Sequence, residues 1–233
     1  MNEIRIFFTK IIKKLPGHLY KKYIELLPDN LQEKNLKFYR WQDQHAHLFG
    51  KVLLLEGLKT YDIQENILGL LKYNKYSRPS LSGDIDFNIS HSGEYVVCAF
   101  GKGLKLGIDI EQVKIIDLHD FKITMTPEQW NYIFNSSDPC YTFFRYWTIK
   151  ESVIKADSRG LSVPLTDLII ERNRIRVDKS DWFLKEVDFK NDYCMCLACN
   201  KSDINLNMYE LDIYTGNSNL SEVKNRVLKA DYI

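Results

Sequence analysis

Apolar residues follow two different spacings along the chain. Between Asn30 and Tyr61 they recur every three or four residues, for example at Leu48, Val52 and Leu55, which predicts one long helix or two joined helices. The opening stretch, MNEIRIFFTKIIKKLPGH, predicts a strand that runs into a basic turn, because its apolar run is too short and too charged for a signal peptide or a membrane span. A targeting segment is the weaker alternative for this stretch.

Strand-type patterns occupy the middle of the chain. The stretch SRPSLSGD, rich in proline and serine, ends the helical part. In DFNISHSGEYVVCAFG two apolar runs flank the polar letters SHSG, which predicts a strand, a turn and a second strand. A third short strand is predicted at KLGIDIEQV.

A second helical block follows these strands. Thr126, Pro127 and Gln129 supply an N-cap, a proline at the first helical position and a capping-box partner, so a helix is expected to start there. Asp138 and Pro139 repeat this start signal for a helix that holds FFRYWTIKESVIKAD.

The remaining part of the chain reads as strands, at DLIIERNRIRV, WFLKEVDF, YCMCLACN and MYELDIY. The chain therefore passes twice through a helical block that is followed by hairpins. This order predicts an α+β fold of two halves, residues 1–105 and 106–233.

Composition narrows the class of protein. A chain of 233 residues with 45% hydrophobic residues can bury a substantial core. Its formal charge of +1 argues against bulk nucleic-acid binding. Five cysteines, an odd number, favour reduced thiols. A cytoplasmic monomer without nucleic-acid or membrane partners is expected.

Two acidic residues in GIDIE are the first candidates for chemistry. Strand periodicity places Asp109 and Glu111 on one face, roughly 6–7 Å apart along the strand, so both can approach one small cation. Magnesium takes such hard oxygen ligands. An exposed strand face with ordinary acidic residues is the alternative.

The helical stretch WTIKESVIK adds a third acid and two lysines. Glu151, Lys150 and Lys155 would form a mixed acidic and basic cleft if this helix packed over the strand, and such a cleft suits a metal-bridged diphosphate. A surface ion pair between residues 151 and 155 is the alternative.

Two further motifs are weaker candidates. In NISHSG, Ser90, His91 and Ser92 are expected in a polar turn that can bind an anion, whereas a serine–histidine nucleophile pair is disfavoured because neighbours on a strand point to opposite faces. The run YCMCLAC resembles metal-binding spacing, but buried core cysteines are favoured because no second cluster completes four ligands.

Taken together, FNISHSGEYVVCAF, GIDIE and FFRYWTIKESVIKADSRGLSVPL resemble the Sfp-type 4′-phosphopantetheinyl transferases. KFYRWQDQHAHLFGKVLL is similar to that family's N-terminal helix, and LKEVDFKNDYCMCLAC to its late hairpin. The resemblance spans roughly residues 30 to 200.

This resemblance implies a pseudo-twofold pair of α+β halves, each with a small antiparallel sheet and a long helix, and coenzyme A bound in the cleft between them. It implies transfer of 4′-phosphopantetheine from coenzyme A to a serine of an apo acyl or peptidyl carrier protein. Adenosine 3′,5′-bisphosphate is then the second product. Nonribosomal peptide, polyketide or fatty acid biosynthesis is the implied setting.

The resemblance also implies roles for individual residues. Asp109, Glu111 and Glu151 are expected to hold Mg²⁺, with Glu151 also the base for the serine proton and Lys155 a catalytic contact to the phosphates. A larger set of polar side chains is expected to bind coenzyme A: Lys34, His47, Arg78, Ser90, His91, Lys150 and Lys155.

Four positions depart from the family pattern without touching the three carboxylates. Ala46 and His47 replace an arginine and a threonine, Leu31 replaces a basic residue, and Ser158 replaces a glycine.

Two other functions remain open. A Mg²⁺-dependent phosphodiesterase would need a broader basic groove than the charge supports. A non-catalytic module that binds coenzyme A or a carrier would be expected to lack one of the acids.

Overall fold

The computed structural model describes residues 2–63, 65–216, 219–223 and 226–227. The α-helices are α1 (Gly17–Ile24), α2 (Asp29–Leu36), α3 (Trp41–Lys59), α4 (Pro127–Phe134) and α5 (Pro139–Asp157). The strands of the first half are β1 (Asn2–Lys10), β2 (Lys72–Tyr73), β3 (Pro79–Ser80), β4 (Ile85–Ser92) and β5 (Tyr95–Lys102). The later strands are β6 (Leu106–Gln112), β7 (Ile170–Glu171), β8 (Arg174–Val177), β9 (Ser180–Asp188), β10 (Tyr193–Cys199), β11 (Ile204–Asp212), β12 (Asn219–Val223) and β13 (Arg226–Val227).

The predicted helix starts are confirmed. Two joined helices, α2 and α3, occupy the first helical block. At the start of α4 the Thr126 hydroxyl accepts from the amide of Gln129, whose side chain accepts in return from the amide of Thr126. Asp138 caps α5, which begins at Pro139. Among the described residues, no helix is both long and apolar enough to cross a membrane.

The first sheet has the strand order β12-β11-β1-β5-β4. β1 pairs antiparallel with β5 and parallel with β11, where Ile6 lies opposite Met208. Only antiparallel hairpins were expected, so this parallel pair is a difference from the sequence prediction. β1 is a central strand with a partner on each edge, and its side chains Ile6 and Phe7 are wholly buried on its two faces.

The second sheet has the order β6-β10-β9-β8-β7, with β13 also pairing with β9. A long helix packs on each large sheet. Gly57 of α3 lies against the ring of Phe100 on β5, and Gly107 of β6 lies against the backbone of α5. The mixed α and β architecture predicted from the sequence is confirmed. The pseudo-twofold relation and the division at residue 105 stay predictions, and β11 returns to the first sheet.

A ladder of side chains joins the two sheets. Four alternate residues of β4 accept hydrogen bonds from alternate backbone amides of β6, each pair offset by 20 residues along the chain. The pairs are Asp86 with Leu106 (2.9 Å), Asn88 with Ile108 (2.9 Å), Ser90 with Ile110 (3.4 Å) and Ser92 with Gln112 (3.0 Å). Because these side chains satisfy the amides, the edge of β6 is buried without a backbone partner on that side.

Gly107 provides a test of the packing between α5 and β6. A Cβ atom there would lie 2.2 Å from the carbonyl oxygen of Ser152 and 2.3 Å from the amide nitrogen of Ala156. Since both contacts are backbone, Gly107→Ala must displace α5, and we expect a loss of about 1–3 kcal/mol in the free energy of unfolding. Chemical denaturation measures this loss. Gly17→Ala is the control, since nothing lies within 4 Å of its Cβ position, and equal stability of the two variants would contradict the packing.

Candidate active site

The acidic residues of β6 and α5 converge beside the side-chain ladder. Asp109 and Glu111 lie on the face of β6 that α5 covers, and Asp109 is 2% exposed. The Ser90 hydroxyl donates to Asp109 at 2.8 Å, and the Ser92 hydroxyl donates to Glu111 at 2.7 Å. The two serines therefore hold the β6 backbone and the β6 carboxylates at once.

Lys155 connects α5 to this cluster. Its ammonium donates to Asp109 at 2.5 Å and to the hydroxyl of Ser90 at 2.9 Å. The alternative of a surface ion pair with Glu151 is wrong, because the partner of Lys155 is the buried Asp109 on another element. Helix α5 thus packs over the strand, as the mixed acidic and basic cleft requires.

The carboxylates interact unfavourably with one another. Burial, and next the charge of Asp109, raises the pKa of Glu111 above its ordinary value, against hydrogen bonds from Ser92 and Trp147 that lower it. Burial and the charges of Asp109 and Glu111 likewise raise the pKa of Glu151, against Lys155, which lowers it. The cluster holds more negative charge than Lys155 neutralises.

The donor set fits a hard divalent cation. Oδ2 of Asp109 is buried and has no hydrogen-bond partner among the described residues. Oxygen ligands from three carboxylates suit Mg²⁺. Within the same described residues no cluster of His, Cys, Asp or Glu is already arranged as a metal site. This is consistent with Lys155 holding one of the Asp109 oxygens.

A cavity of about 230 Å³ opens beside the cluster. It lies between the segment Tyr76–Pro79 and helix α5, and both Glu151 and Lys155 line it. Arg78 also lines it, but its guanidinium already donates to Asp86 (2.9 Å), to the carbonyl of Leu106 (2.8 Å) and to the hydroxyl of Ser158 (3.0 Å). Arg78 therefore ties the first half to the end of α5, where Ser158 adopts the left-handed conformation (φ 73°).

The expected polar turn is shorter than the sequence indicated. β4 continues to Ser92, so the serines and His91 are strand residues and the turn begins at Gly93. β4 extends to Ser92 because its polar side chains accept hydrogen bonds from the β6 amides, in the place of a neighbouring strand's carbonyls. Ser90 consequently faces the carboxylates, and His91 faces the opposite side of the sheet.

Two other predicted residues lie on that opposite side. His47 of α3 contacts the side-chain amide of Asn35 at 3.0 Å, and burial together with the charges of Lys51, Lys34 and His91 lowers its pKa to about 4. Lys34 is exposed on α2. His47 and Lys34 thus belong to a basic group on the α3 side of β4, and His91, which is also influenced by the charges of Lys155 and Asp109, lies between this group and the carboxylate cluster.

The structure places Lys150 elsewhere, which corrects the expectation that its ammonium faces coenzyme A. Lys150 is fully buried and donates to the carbonyls of Thr124 (2.9 Å) and Leu165 (2.8 Å) and to the side chain of Gln129 (2.7 Å). It lies about 100° around the helix from Glu151 and so faces another part of the protein. Burial lowers its pKa to about 8.

The structure also shows the positions of the cysteines and of two ladder residues that the sequence did not single out. All five cysteines are free, and those of β10 are buried, as the core interpretation predicted. The roles of Asn88 and Ser92 in the ladder were missed. Their signal was the polar alternation of Asp86, Asn88, Ser90 and Ser92 in an otherwise apolar strand.

Comparison with known proteins identifies the family to which the chain belongs. The 4′-phosphopantetheinyl transferase superfamily model matches residues 105–198, which include β6 and α5. The chain is 33% identical to 4′-phosphopantetheinyl transferase Sfp of Bacillus subtilis (strain 168), over 70% of this chain and 74% of that protein. It is 28% identical to 4′-phosphopantetheinyl transferase gsp of Aneurinibacillus migulanus, over 90% and 92% respectively. The chain belongs to the 4′-phosphopantetheinyl transferase superfamily.

The buried contacts of Lys150 predict a structural effect. Lys150→Met removes one donor from each of three acceptors, the carbonyls of Thr124 and Leu165 and the side chain of Gln129, so we expect the free energy of unfolding to fall by about 2 kcal/mol. Denaturant titration followed by circular dichroism measures this. Lys122→Met, at an exposed lysine nearby, should change stability by less than about 0.5 kcal/mol. An unchanged Lys150→Met protein would refute the structural role.

Proposed function

We propose that this enzyme transfers 4′-phosphopantetheine from coenzyme A to a serine hydroxyl of an apo acyl or peptidyl carrier protein. Adenosine 3′,5′-bisphosphate is released. The observation that carries the proposal is that Asp109, Glu111 and Glu151 lie together with Lys155, beside a cavity that Glu151 and Lys155 line. The names of the relatives supply the transferred group.

Mg²⁺ is the metal that this donor set fits, and the residues that would hold it are Asp109, Glu111 and Glu151. When bound, it supplies Lewis-acid polarisation of the phosphoryl oxygens. The serines of the ladder fix one oxygen each of Asp109 and Glu111. Ser90 and Ser92 therefore limit the rotation of both acids. Oδ2 of Asp109, which has no hydrogen-bond partner among the described residues, would be available to the metal.

Lys155 and Glu151 have the two remaining chemical roles. Lys155 lines the cavity with its ammonium, which neutralises charge on the diphosphate as the bond to the leaving group breaks. Glu151 makes no hydrogen bond among the described residues, so its oxygens can accept the proton of the incoming serine. The serine oxygen then forms a bond to the β-phosphorus, and the electron pair of the broken bond leaves on the 5′-phosphate of the nucleotide.

The remaining polar residues contact the rest of coenzyme A. We assign Lys34, His47, Ser90 and His91 to the nucleotide phosphates, and Arg78 to the shape of the cavity through its bonds to Asp86 and Ser158. A cytoplasmic monomer that serves carrier proteins of nonribosomal peptide, polyketide or fatty acid biosynthesis is the corresponding cellular proposal.

Removing the proposed base tests the reaction. Glu151→Gln keeps the size of the side chain but removes the charge, and we expect transfer to fall at least about a hundredfold. Intact-mass measurement of an apo carrier protein, incubated with coenzyme A and Mg²⁺, reports the transferred group. The exposed Glu25→Gln is the matched control and should retain full activity. Absence of any mass shift with the unmodified enzyme across a panel of apo carriers would refute the function itself.

Metal binding has a readout that does not depend on turnover. Because a bound cation stabilises the folded state by mass action, millimolar Mg²⁺ should raise the melting temperature of the unmodified protein. Asp109→Asn removes one of the charges that bind the cation and should abolish this increase, whereas Glu25→Gln should preserve it. Differential scanning fluorimetry with and without Mg²⁺ decides the matter, and an equal increase in the Asp109→Asn protein would exclude the assigned site.

A further inference from the structure

Ser158, the residue that follows α5, has a backbone conformation that favours glycine. Its φ is 73°, in the left-handed region, and its amide donates to the carbonyl of Ile154 at 3.0 Å where the helix ends. A side chain is unfavourable in this conformation because its Cβ atom crowds the following carbonyl oxygen. Such strain persists where the surrounding contacts hold the residue in place.

The hydroxyl and the carbonyl of Ser158 both contact the turn between β2 and β3. The hydroxyl accepts from the guanidinium of Arg78 at 3.0 Å and donates to the carbonyl of Ala156 at 3.3 Å. The carbonyl accepts from the side-chain amide of Asn74 at 2.9 Å. A hydroxyl can donate and accept at once, so serine makes a contact here that glycine lacks.

The turn is ordered internally by Asn74. Its side-chain oxygen accepts from the amides of Tyr76 (2.9 Å) and Arg78 (3.0 Å), and its own amide donates to the carbonyl of Arg78 at 3.1 Å. The strands on either side, β2 and β3, form a separate sheet of two strands. A hairpin of this size is only marginally stable alone, so its position depends on contacts with the rest of the protein.

Arg78 and Asn74 fix this hairpin to two different parts of the protein. Arg78 donates to Asp86 at 2.9 Å and to the carbonyl of Leu106 at 2.8 Å, and these two acceptors lie at the first rung of the ladder. Its third bond and the bond of Asn74 reach Ser158 instead. Ser158 thus joins the hairpin to the end of α5.

The cavity of about 230 Å³ lies between the parts that Ser158 joins. One wall is the turn segment, residues 76–79, and the other includes Glu151 and Lys155 of α5. Ser158 is three residues beyond Lys155, about one helical turn away. The contacts of Ser158 therefore set the distance between the turn and the last two turns of α5.

We propose that Ser158 is a positioning residue, which holds the turn segment against the end of α5 and so fits the cavity to coenzyme A. The inference rests on the proposed function, since it takes coenzyme A as the occupant. A wall that contacts the substrate equally before and during the reaction contributes uniform binding. Its displacement raises KM and leaves kcat unchanged.

Substitution of Ser158 separates this role from a purely structural one. Ser158→Gly removes the hydroxyl and relieves the left-handed strain, so we expect KM for coenzyme A to rise roughly fivefold, the value of one hydrogen bond, and kcat to change by less than about twofold. The melting temperature should stay within about 3 °C of that of the unmodified protein, because the relief of strain offsets the lost bond. Steady-state kinetics and scanning fluorimetry measure these quantities.

Two further variants serve as rescue and control. Ser158→Asn tolerates the left-handed conformation and keeps an oxygen that can accept from Arg78, so it should recover most of the lost affinity. Arg172→Gly relieves the same kind of strain (φ 58°) at an exposed turn between β7 and β8, and it should leave KM unchanged.

Limited proteolysis reports the position of the hairpin without any ligand. Trypsin can cleave after Lys75, which is exposed in the turn. Release of the turn from α5 should increase this cleavage severalfold in Ser158→Gly and leave it unchanged in Arg172→Gly. Asn74→Asp keeps the oxygen that accepts within the turn but removes the donor to the Ser158 carbonyl, and it should increase cleavage in the same way.

An unchanged KM for coenzyme A in Ser158→Gly would overturn the proposal, as would a fall in kcat without a rise in KM. Cleavage after Lys75 at the same rate in Ser158→Gly and the unmodified protein would also overturn it. An unmodified protein that neither binds coenzyme A nor modifies a carrier would instead remove the proposed function, whereas the proteolysis would still show whether Ser158 holds the hairpin.

Discussion

The side-chain ladder between β4 and β6 is the interaction on which the site depends. Direct backbone pairing of these two edges would merge the two large sheets and leave no side chains between them. Four polar side chains instead replace a strand's backbone, satisfy the amides of β6 and hold the sheets one side-chain length apart. Since a hydroxyl both accepts and donates, Ser90 and Ser92 also reach Asp109 and Glu111. The element that joins the two sheets therefore also orients two of the acids.

The side chains on the two faces of β4 carry an excess of charge, negative on the α5 side and positive on the α3 side. On the α5 side, three carboxylates share the single ammonium of Lys155, and burial and mutual repulsion raise the pKa of Glu111 and of Glu151. On the α3 side, Lys34, Lys51, His47 and His91 repel one another. A buried excess of either sign is unfavourable in the free protein. In the proposed complex, Mg²⁺ on the α5 side and a nucleotide phosphate on the α3 side would relieve both excesses.

Local signals made much of this structure predictable. The caps of α4 and α5 are short-range features, and the shared face of Asp109 and Glu111 follows from strand periodicity alone. The misses depend on distant parts of the chain. The parallel pairing of β1 with β11 joins residues about two hundred positions apart, and Lys150 is buried because carbonyls from two other segments surround it. Arg78 is engaged by Asp86 and Ser158, whose proximity no spacing in the sequence reveals.

Successive side chains of β4 point to opposite faces of the sheet, and this fixes the distance between the two charged regions. Ser90 and His91 are adjacent, so their Cα atoms are about 3.8 Å apart while their side chains lie on opposite faces of the sheet. Neither can move alone, because the ladder holds one face and α3 packs on the other. A ligand that contacts both regions must span this strand.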